Sequence, residues 1–579
     1  MIEVIEINSF EELEVYRHQW NQLLQNSETN VIFLTFEYCR SWWEVFFDGR
    51  ELLVLLARKD SEIIGVAPLT IGVLQRWGMT RRAVEFLGTL QSDYMDFIIG
   101  SDKNDVLKAF SDYLWSIRSR WDIVRLRQIP ESSSTVSRLQ EHLNELPFPF
   151  SVRQGSSCPI VLIEGRKEEV ENKIRQQRTL RRYINRLEQL GELKFGYATD
   201  TQESLSYLDS FFQMHINRWE STVTPSTFYN EDQRRFYYQL ARSFGPKGWL
   251  RLAYLALDGL PIALIVGFEY NRSLSLHRSA HNLLYYKHSP GRIIVRYAVQ
   301  YCLDNGLNDV DLLAGSEGYK EYITNEVRQT RQILLYRSRR QKIWDQLKHI
   351  VWQSRFSSSL LRDGRVLELR LKLRKYNRRY GVLGLAKKVV RRFGSRIVDF
   401  SSNQLFEWCG EDLPQVMVKY PIEIRVGDET DVNLIASFHG YTADAPEIQS
   451  LKQRLGKGDK PYLAFCGRTL AHVAWVCKRD KVEMDEIWGS IAFGRNEAYI
   501  MDCKTGFVFR GRNIYPEVLQ RILQDLMAEN IDKVYIACGM SNETSMRSIK
   551  KAGFLPAKKI SAVKLFGRKI GPKIIPAGS

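Results

Sequence analysis

The sequence predicts an α/β (α+β) protein of repeated mixed sheets flanked by helices, with a basic helical linker. Three observations carry this expectation. The chain has 579 residues, and one hydrophobic core rarely serves more than roughly 250–300, so two to four domains are expected. One order of strands and helices recurs along it. Its net charge of +16 is confined to one stretch.

Taken in order, residues 10–24 carry a helical pattern, followed by Phe33-Leu-Thr-Phe36 and Trp42-Trp43. Runs at 52–57 and 62–69 read as strands around the turn Lys59-Asp60-Ser61, and 84–88 and 94–99 as another pair. A helix at 105–119 leads into a strand at 122–127. The plan then repeats. A basic helix at 168–190 precedes a strand at 193–198 and a helix at 203–220, and three strands follow at 249–257, 261–270 and 273–280. The first two of these flank an Asp258-Gly259 turn. A helix at 292–305 and a strand at 309–313 complete this second copy. A third begins with a strand at 422–426 and a helix at 430–438, then strands at 461–466, 471–477 and 498–503. The loop 509–516, a helix at 517–529 and a strand at 533–538 close it.

Residues 337–396 hold 19 Lys and Arg against Asp345, Asp363 and Glu368. The rest of the chain balances at 64 of each sign, which argues against a wholly basic nucleic-acid-binding surface. Within the stretch, Ile343, Leu347, Ile350 and Val351 recur at helical spacing, with Trp344 and Trp352 beside them. Such a pattern suits a helical linker docked on a neighbouring domain, a helix lying on an anionic membrane surface, or an RNA contact.

The most apolar run, 250–268, is interrupted by Arg251, Asp258, Gly259 and Pro261, while a spanning helix needs about 20 apolar residues. The acidic start lacks the order of a signal peptide. Eight cysteines lie far apart without a C-x-x-C pair, so reduced, mostly buried thiols in a cytoplasmic chain are expected. No histidine or cysteine cluster has metal-ligand spacing.

Two resemblances can be read from motifs. Residues 30–336 resemble the FemAB-related, CelD-like group tied to cellulose and exopolysaccharide synthesis, an acyltransferase branch of the GNAT type. The carrying residues are Trp42-Trp43, Gly65-Val-Ala-Pro68-Leu69, Phe86-Leu-Gly88, Asp93-Tyr94-x-Asp96-Phe97, His215-x-x-Arg218-Trp219, Gly259-x-Pro261-Ile-Ala263 and Ser289-Pro290-Gly291, then the run from Asp311 through Gly315, Glu317 and Tyr319 to Lys320. The chain departs from the group at Ser316, where an acidic residue is usual, and at Tyr322-Ile323, where a Trp is usual. Residues 420–566 resemble an ordinary GNAT unit through Arg510-Gly511-Arg512-Asn513-Ile514-Tyr515, Asn542-Glu-Thr-Ser545 and Lys551-Ala-Gly553-Phe554. Asn513 and Tyr515 replace two glycines of that loop. Asn tolerates the left-handed conformation, whereas Tyr515 restricts the cofactor. Ile549 stands where many members carry a tyrosine acid, and an aliphatic side chain cannot protonate a thiolate.

The resemblance implies a FemAB-like pair, 1–150 and 151–336, with the main acyl-CoA site in the second half. A basic linker at 337–415 and a C-terminal GNAT domain at 416–579 follow. Transfer from acetyl-CoA or another acyl-CoA requires phosphates to be cradled, a nucleophile to lose a proton and an oxyanion to be stabilised. Lys287, Ser289, Pro290, Gly291 and Arg292 occupy the cradling position in the middle copy, and Arg510, Gly511, Arg512, Asn513 and Asn542 in the last. His281, Asp311, Glu317 and His215 are the candidates for proton transfer. Against them stand plainer roles: Asp311 capping a strand end, His215 and Trp219 as core residues, His277 facing solvent. Lys320, Tyr319, Arg218 and Trp219 are candidates for holding the acceptor, and no metal is expected. The expected function is N- or O-acyl transfer to an amine or hydroxyl, with a saccharide of the cell envelope as acceptor. The rivals are aminoacyl transfer from tRNA to a peptidoglycan precursor, and a non-catalytic scaffold at a membrane polysaccharide synthase. The expected place is the cytoplasm, peripheral to the inner face of the membrane.

Overall fold

The structure is a computed structural model that describes residues 2–76, 79–145, 149–220, 225–315, 320–353, 398–410, 413–414, 416, 421–484, 489–565 and 568–576. Two compact units divide the chain: residues 1–211, 230–281 and 287–361 in the first, and 212–229, 282–286 and 362–579 in the second.

Thirteen strands of the first unit, among the described residues, make one continuous mixed sheet. Its hairpins follow local chemistry. Asp60-Ser61 and Asp258-Gly259 both have positive φ at the two turn positions, the primed geometry that matches strand twist. Strand Glu51–Lys59 is buried on both faces, as its unbroken Leu-Val-Leu-Leu-Ala run requires. Tyr94–Phe97, expected within a strand, is loop, and only Ile98–Ile99 pairs. The basic helix expected over 168–190 is two helices, Lys167–Gln176 and Arg178–Glu188, broken at Gln177.

The centre of the sheet is built by strands the hydrophobic pattern does not show. Phe150–Leu162 and Glu326–Tyr336 pair antiparallel, Glu326 opposite Ile160 and Leu335 opposite Phe150. The first also borders Asp309–Asp311, and the second borders Ile123–Pro130. A strand from the end of the second half thus lies beside the first half. Polar runs such as Arg153-Gln-Gly-Ser-Ser157 give these strands no apolar alternation.

The second unit carries, among the described residues, an eight-stranded sheet. Strand Val398–Trp408, in the stretch read as linker, lies between Lys533–Gly539 and Leu555–Leu565. Residues 354–397, the bulk of the basic stretch, are outside the described residues; the helix Arg339–Gln353 precedes them. The helix expected from 517 begins at Ile514, because a proline in the first turn has no hydrogen bond to lose.

One motif occurs three times. Parallel strand pairs, Ala83–Glu85 with Ile123–Arg125, Ser273–Ser275 with Asp309–Asp311, and Glu497–Ile500 with Lys533–Ile536, are each joined through a helix. The helices are Lys103–Ser116, Pro290–Asp304 and Ile514–Ala528. Each starts after a left-handed residue, Asp102 (φ 50°), Ser289 (φ 51°) or Asn513 (φ 63°), with no side-chain cap. In the last two copies the first strand runs past its paired residues, to His281 and to Thr505. It is also bulged, at His277 and at Asp502 (φ 50°).

Candidate active site

An uncapped helix start leaves backbone N–H groups to meet an anion, and the three crossover helices all start this way. Their surroundings differ. In the first copy the N-cap is itself a carboxylate, Asp102, ion-paired to Lys59 at 2.7 Å. Lys103 is taken by Glu28, and Asp105 lies in the first turn. Negative charge there disfavours phosphate.

The middle copy is cationic. Ser289 holds the left-handed conformation, Pro290 supplies the first helical residue, and Gly291 the second. The Arg292 guanidinium lies 4.8 Å over the Tyr322 ring. Helix Arg178–Glu188 buries Leu180, Ile184 and Leu187 and leaves Arg178, Arg181, Arg182 and Arg186 exposed. Burial, then the charge of Arg186, lowers the pKa of His288, and burial and Arg181 lower that of Arg296. The His288 Nδ1 and Arg296 Nε atoms are buried without a hydrogen-bond partner. Lys287 is exposed at the end of the short turn before the helix.

His281, the last residue of its strand, sits against this helix start. A Cβ built on Gly291 would lie 3.3 Å from His281 Nδ1, so the missing side chain makes room for the imidazole. The strand carrying His281 and the helix carrying Gly291 thus bring together two groups expected to act in acyl transfer.

Asp311 ends the partner strand and is almost fully buried. Its Oδ2 accepts from the Tyr94 hydroxyl at 2.8 Å and from Arg328 Nη1 at 3.1 Å, and its Oδ1 from the Leu313 N–H at 2.7 Å. Arg328 Nη2 donates to Asp309 at 2.7 Å. Burial pushes the Asp311 pKa up to about 6, against the opposing pull of Arg328, Tyr94 and the Leu313 N–H. Leu313 has φ 55°, a conformation costing a leucine of order 1–3 kcal/mol and found mostly where surrounding structure enforces it. Lys320 is buried and donates to the carbonyls of Leu312 (2.9 Å) and Leu313 (3.2 Å), so the chain after Asp311 wraps around its ammonium. Its position fits a clamp on that loop rather than the acceptor contact expected for it. Glu317 and Tyr319 lie outside the described residues.

His215, Arg218 and Trp219 belong to the second unit. His215 is buried, with Nδ1 2.9 Å from Ser226 Oγ and its ring stacked on Trp219 at 5.7 Å; Arg218 lies over the same indole at 5.9 Å. The plainer core reading suits this pair. His277, read as facing solvent, is buried: Nε2 donates to the Gln91 carbonyl at 3.0 Å, and Nδ1 accepts from Tyr237 at 3.2 Å.

In the last copy, Gly511 (φ 77°) and Asn513 both take left-handed conformations, as expected of Asn513. Arg510 and Arg512 lie over Phe507 and Phe509 at 5.4 and 5.3 Å. Asn542, expected at the cofactor, caps helix Glu543–Lys551 by accepting from the Ser545 N–H at 3.2 Å. Ile549 is wholly buried.

Tyr94 and Arg328 are absent from the expected site. The only sequence signal for Tyr94 is its place in Asp93-Tyr94-x-Asp96, and nothing local pairs it with a residue 217 positions on.

No curated protein matches the chain. Among solved structures, FemX matches at 10% identity and TM-score 0.40, over 56% of this chain and 96% of that one. The C-terminal domain of a putative lysylphosphatidylglycerol synthetase from Agrobacterium fabrum matches at 11% and 0.38, over 59% and 97%. A tandem GNAT protein from the clavulanic acid biosynthesis pathway matches at 9% and 0.33, over 57% and 98%. Residues 174–321, which hold the crossover just described, match the model of the acetyltransferase (GNAT) domain, and the enzyme class of the chain is that of an acyltransferase.

Proposed function

We propose that the protein moves an acyl group from acetyl-CoA, or another acyl-CoA, to an amine or hydroxyl of a cell-envelope saccharide or its precursor, at the helix start Ser289–Arg292. The observation that carries this reading is the contact of His281 with Gly291 at the one helix start of the three whose surroundings are cationic and whose second residue has no side chain. The Gly291 N–H and the Arg292 side chain would hold the donor's phosphates. The His281 imidazole takes the proton of the attacking amine or hydroxyl as the new C–N or C–O bond forms; the C–S bond breaks, and the thiolate leaves with a proton returned to it. Asp311, too enclosed to meet the acceptor directly, holds Tyr94 and the strained Leu313 in place.

The test is thioester turnover against titrated acetyl-CoA binding. His281→Ala is expected to lower turnover by about 10²–10⁴-fold while leaving the donor's Kd within a few-fold. Unchanged turnover removes His281 from the chemistry. Binding to tRNA with steep salt dependence, and none to acyl-CoA, would favour the aminoacyl-transfer reading instead.

The reading extends to a partner. Among the described residues no helix is long and apolar enough to cross a membrane. Helix Arg339–Gln353 exposes Ile343, Trp344 and Leu347 by 50–60%. These residues, with the cations around them, would set the protein on an anionic membrane surface, peripheral to its inner face.

A further inference from the structure

The middle and last crossovers can be superposed residue by residue from their helix starts. Ser289 and Asn513 are the left-handed N-caps, Pro290 and Ile514 the first helical residues, Gly291 and Tyr515 the second. What is hydrogen in one copy is a phenol in the other.

The phenol does not point to solvent. Its ring stacks on His472 at 5.1 Å and an interplanar angle of 24°. His472 is fully buried on strand Thr469–Cys477, with Nδ1 2.8 Å from Thr505 Oγ1; burial pulls its pKa down to about 3, so the stack is between two neutral rings. The Tyr515 hydroxyl lies close to the side chains of Cys503 and Ser545, and Ser545 close to Cys538. Cys503 lies on Glu497–Thr505 and Cys538 on Lys533–Gly539. Those strands pair in parallel only as far as Ile500 and Ile536, and run on beyond that point without pairing to each other. The side chains of Cys503, Tyr515, Ser545 and Cys538 therefore gather at the mouth of their divergence. Removing the ring would leave two backbones with unpaired polar groups facing each other, the kind of slot that an extended amide-bearing thioester arm could hydrogen-bond.

We infer that Tyr515 is the residue that denies the C-terminal unit an acyl donor: its own side chain fills the corner at the helix position where the middle copy has Gly291 facing His281. The chain then binds one donor per molecule, and the last copy is a closed form of the same site. This rests on the reading of the middle copy as the donor site, and the experiment separates the two.

Acetyl-CoA binding to the full chain is measured by isothermal titration for wild type, Tyr515→Ala and Tyr515→Phe. The expected stoichiometry is one for wild type, two for Tyr515→Ala and one for Tyr515→Phe, which keeps the ring. A wild type that binds none, with one equivalent gained in Tyr515→Ala, supports the closure and defeats the middle-copy reading. Two equivalents in wild type, or no gain in a Tyr515→Ala protein whose circular dichroism and melting match wild type, overturns the closure. Should Tyr515→Ala fail to fold, hydrogen exchange of the wild-type amides at 501–505, 514, 515 and 517 decides. Saturating acetyl-CoA is expected to leave them unchanged, and at least tenfold protection there overturns the inference.

Discussion

Gly291 and Asp311 each set stability against function in a way one substitution can read. Gly291 has no unusual φ, so alanine fits its backbone, and Gly→Ala in a helix gains about 0.5–1 kcal/mol. The added Cβ meets His281 Nδ1 at 3.3 Å, tighter than ordinary contact, so the imidazole must shift. Gly291→Ala is therefore expected to raise the denaturation midpoint and lower thioester turnover about tenfold or more. A variant that is both stabler and fully active would show that the His281 position is immaterial. For Asp311 the folded pKa, about 6, lies above the ordinary 3.8. The folded state thus holds its proton to higher pH than the unfolded chain. The stability this lends is complete below about 4, lost as pH rises to 6, and absent above. Unfolding free energies at pH 4.5, 5.5 and 7.5 are expected to fall more steeply with pH in wild type than in Asp311→Asn, and parallel curves would refute the shift.

At the scale of elements, the helix Arg339–Gln353 shows how an amphipathic pattern acquires a direction. Its one acid, Asp345, accepts from Tyr336 at 2.8 Å and from Arg153 at 2.7 Å, which turns that side toward the first sheet. At about 100° per residue, Ile343, Trp344 and Leu347 fall on the side away from Asp345, with Arg340 among them. The outward face is left cationic and apolar. Flotation with anionic vesicles is expected to carry the protein, neutral vesicles much less, and Trp344→Glu with Leu347→Glu to abolish the difference. Each Arg→Gln change at 339 or 340 should weaken binding about fivefold, following roughly 1 kcal/mol per charge. Equal flotation on both lipids would end the membrane reading. The stripe was legible in the sequence from its spacing. Its direction was not, because the partners of Asp345 lie on strands the hydrophobic pattern missed.

For the whole molecule, the units do not follow the order of the chain. The second unit includes Leu284, buried in a cluster with Val432, Ile435, Phe438, Leu463 and Trp475, and Asn282, which donates to Ser437. Leu284→Ala is expected to cost that unit about 2–4 kcal/mol, read as a lowered melting transition. A fragment of residues 416–579 is expected not to fold, because it lacks the strand Val398–Trp408 that pairs on both edges within its sheet; a dispersed amide spectrum from that fragment would contradict this. Much of the architecture could be read locally: the three crossovers, their helices, the Asp258-Gly259 turn and the loop around Asn513 all rest on short-range apolar period and turn chemistry. So could His281 and Gly291, near neighbours in the chain. Tyr94 with Asp311, Arg328 across two carboxylates, and the clamp of Lys320 required the sheet itself, since its central strands bring distant segments into register through backbone bonds that any side-chain sequence can make. The same asymmetry separates the copies. The sequence itself showed Asp102 at the first helix start and Tyr515 at the third, and only packing showed that His281 faces Gly291 at the second and that the Tyr515 ring lies on His472 at the third.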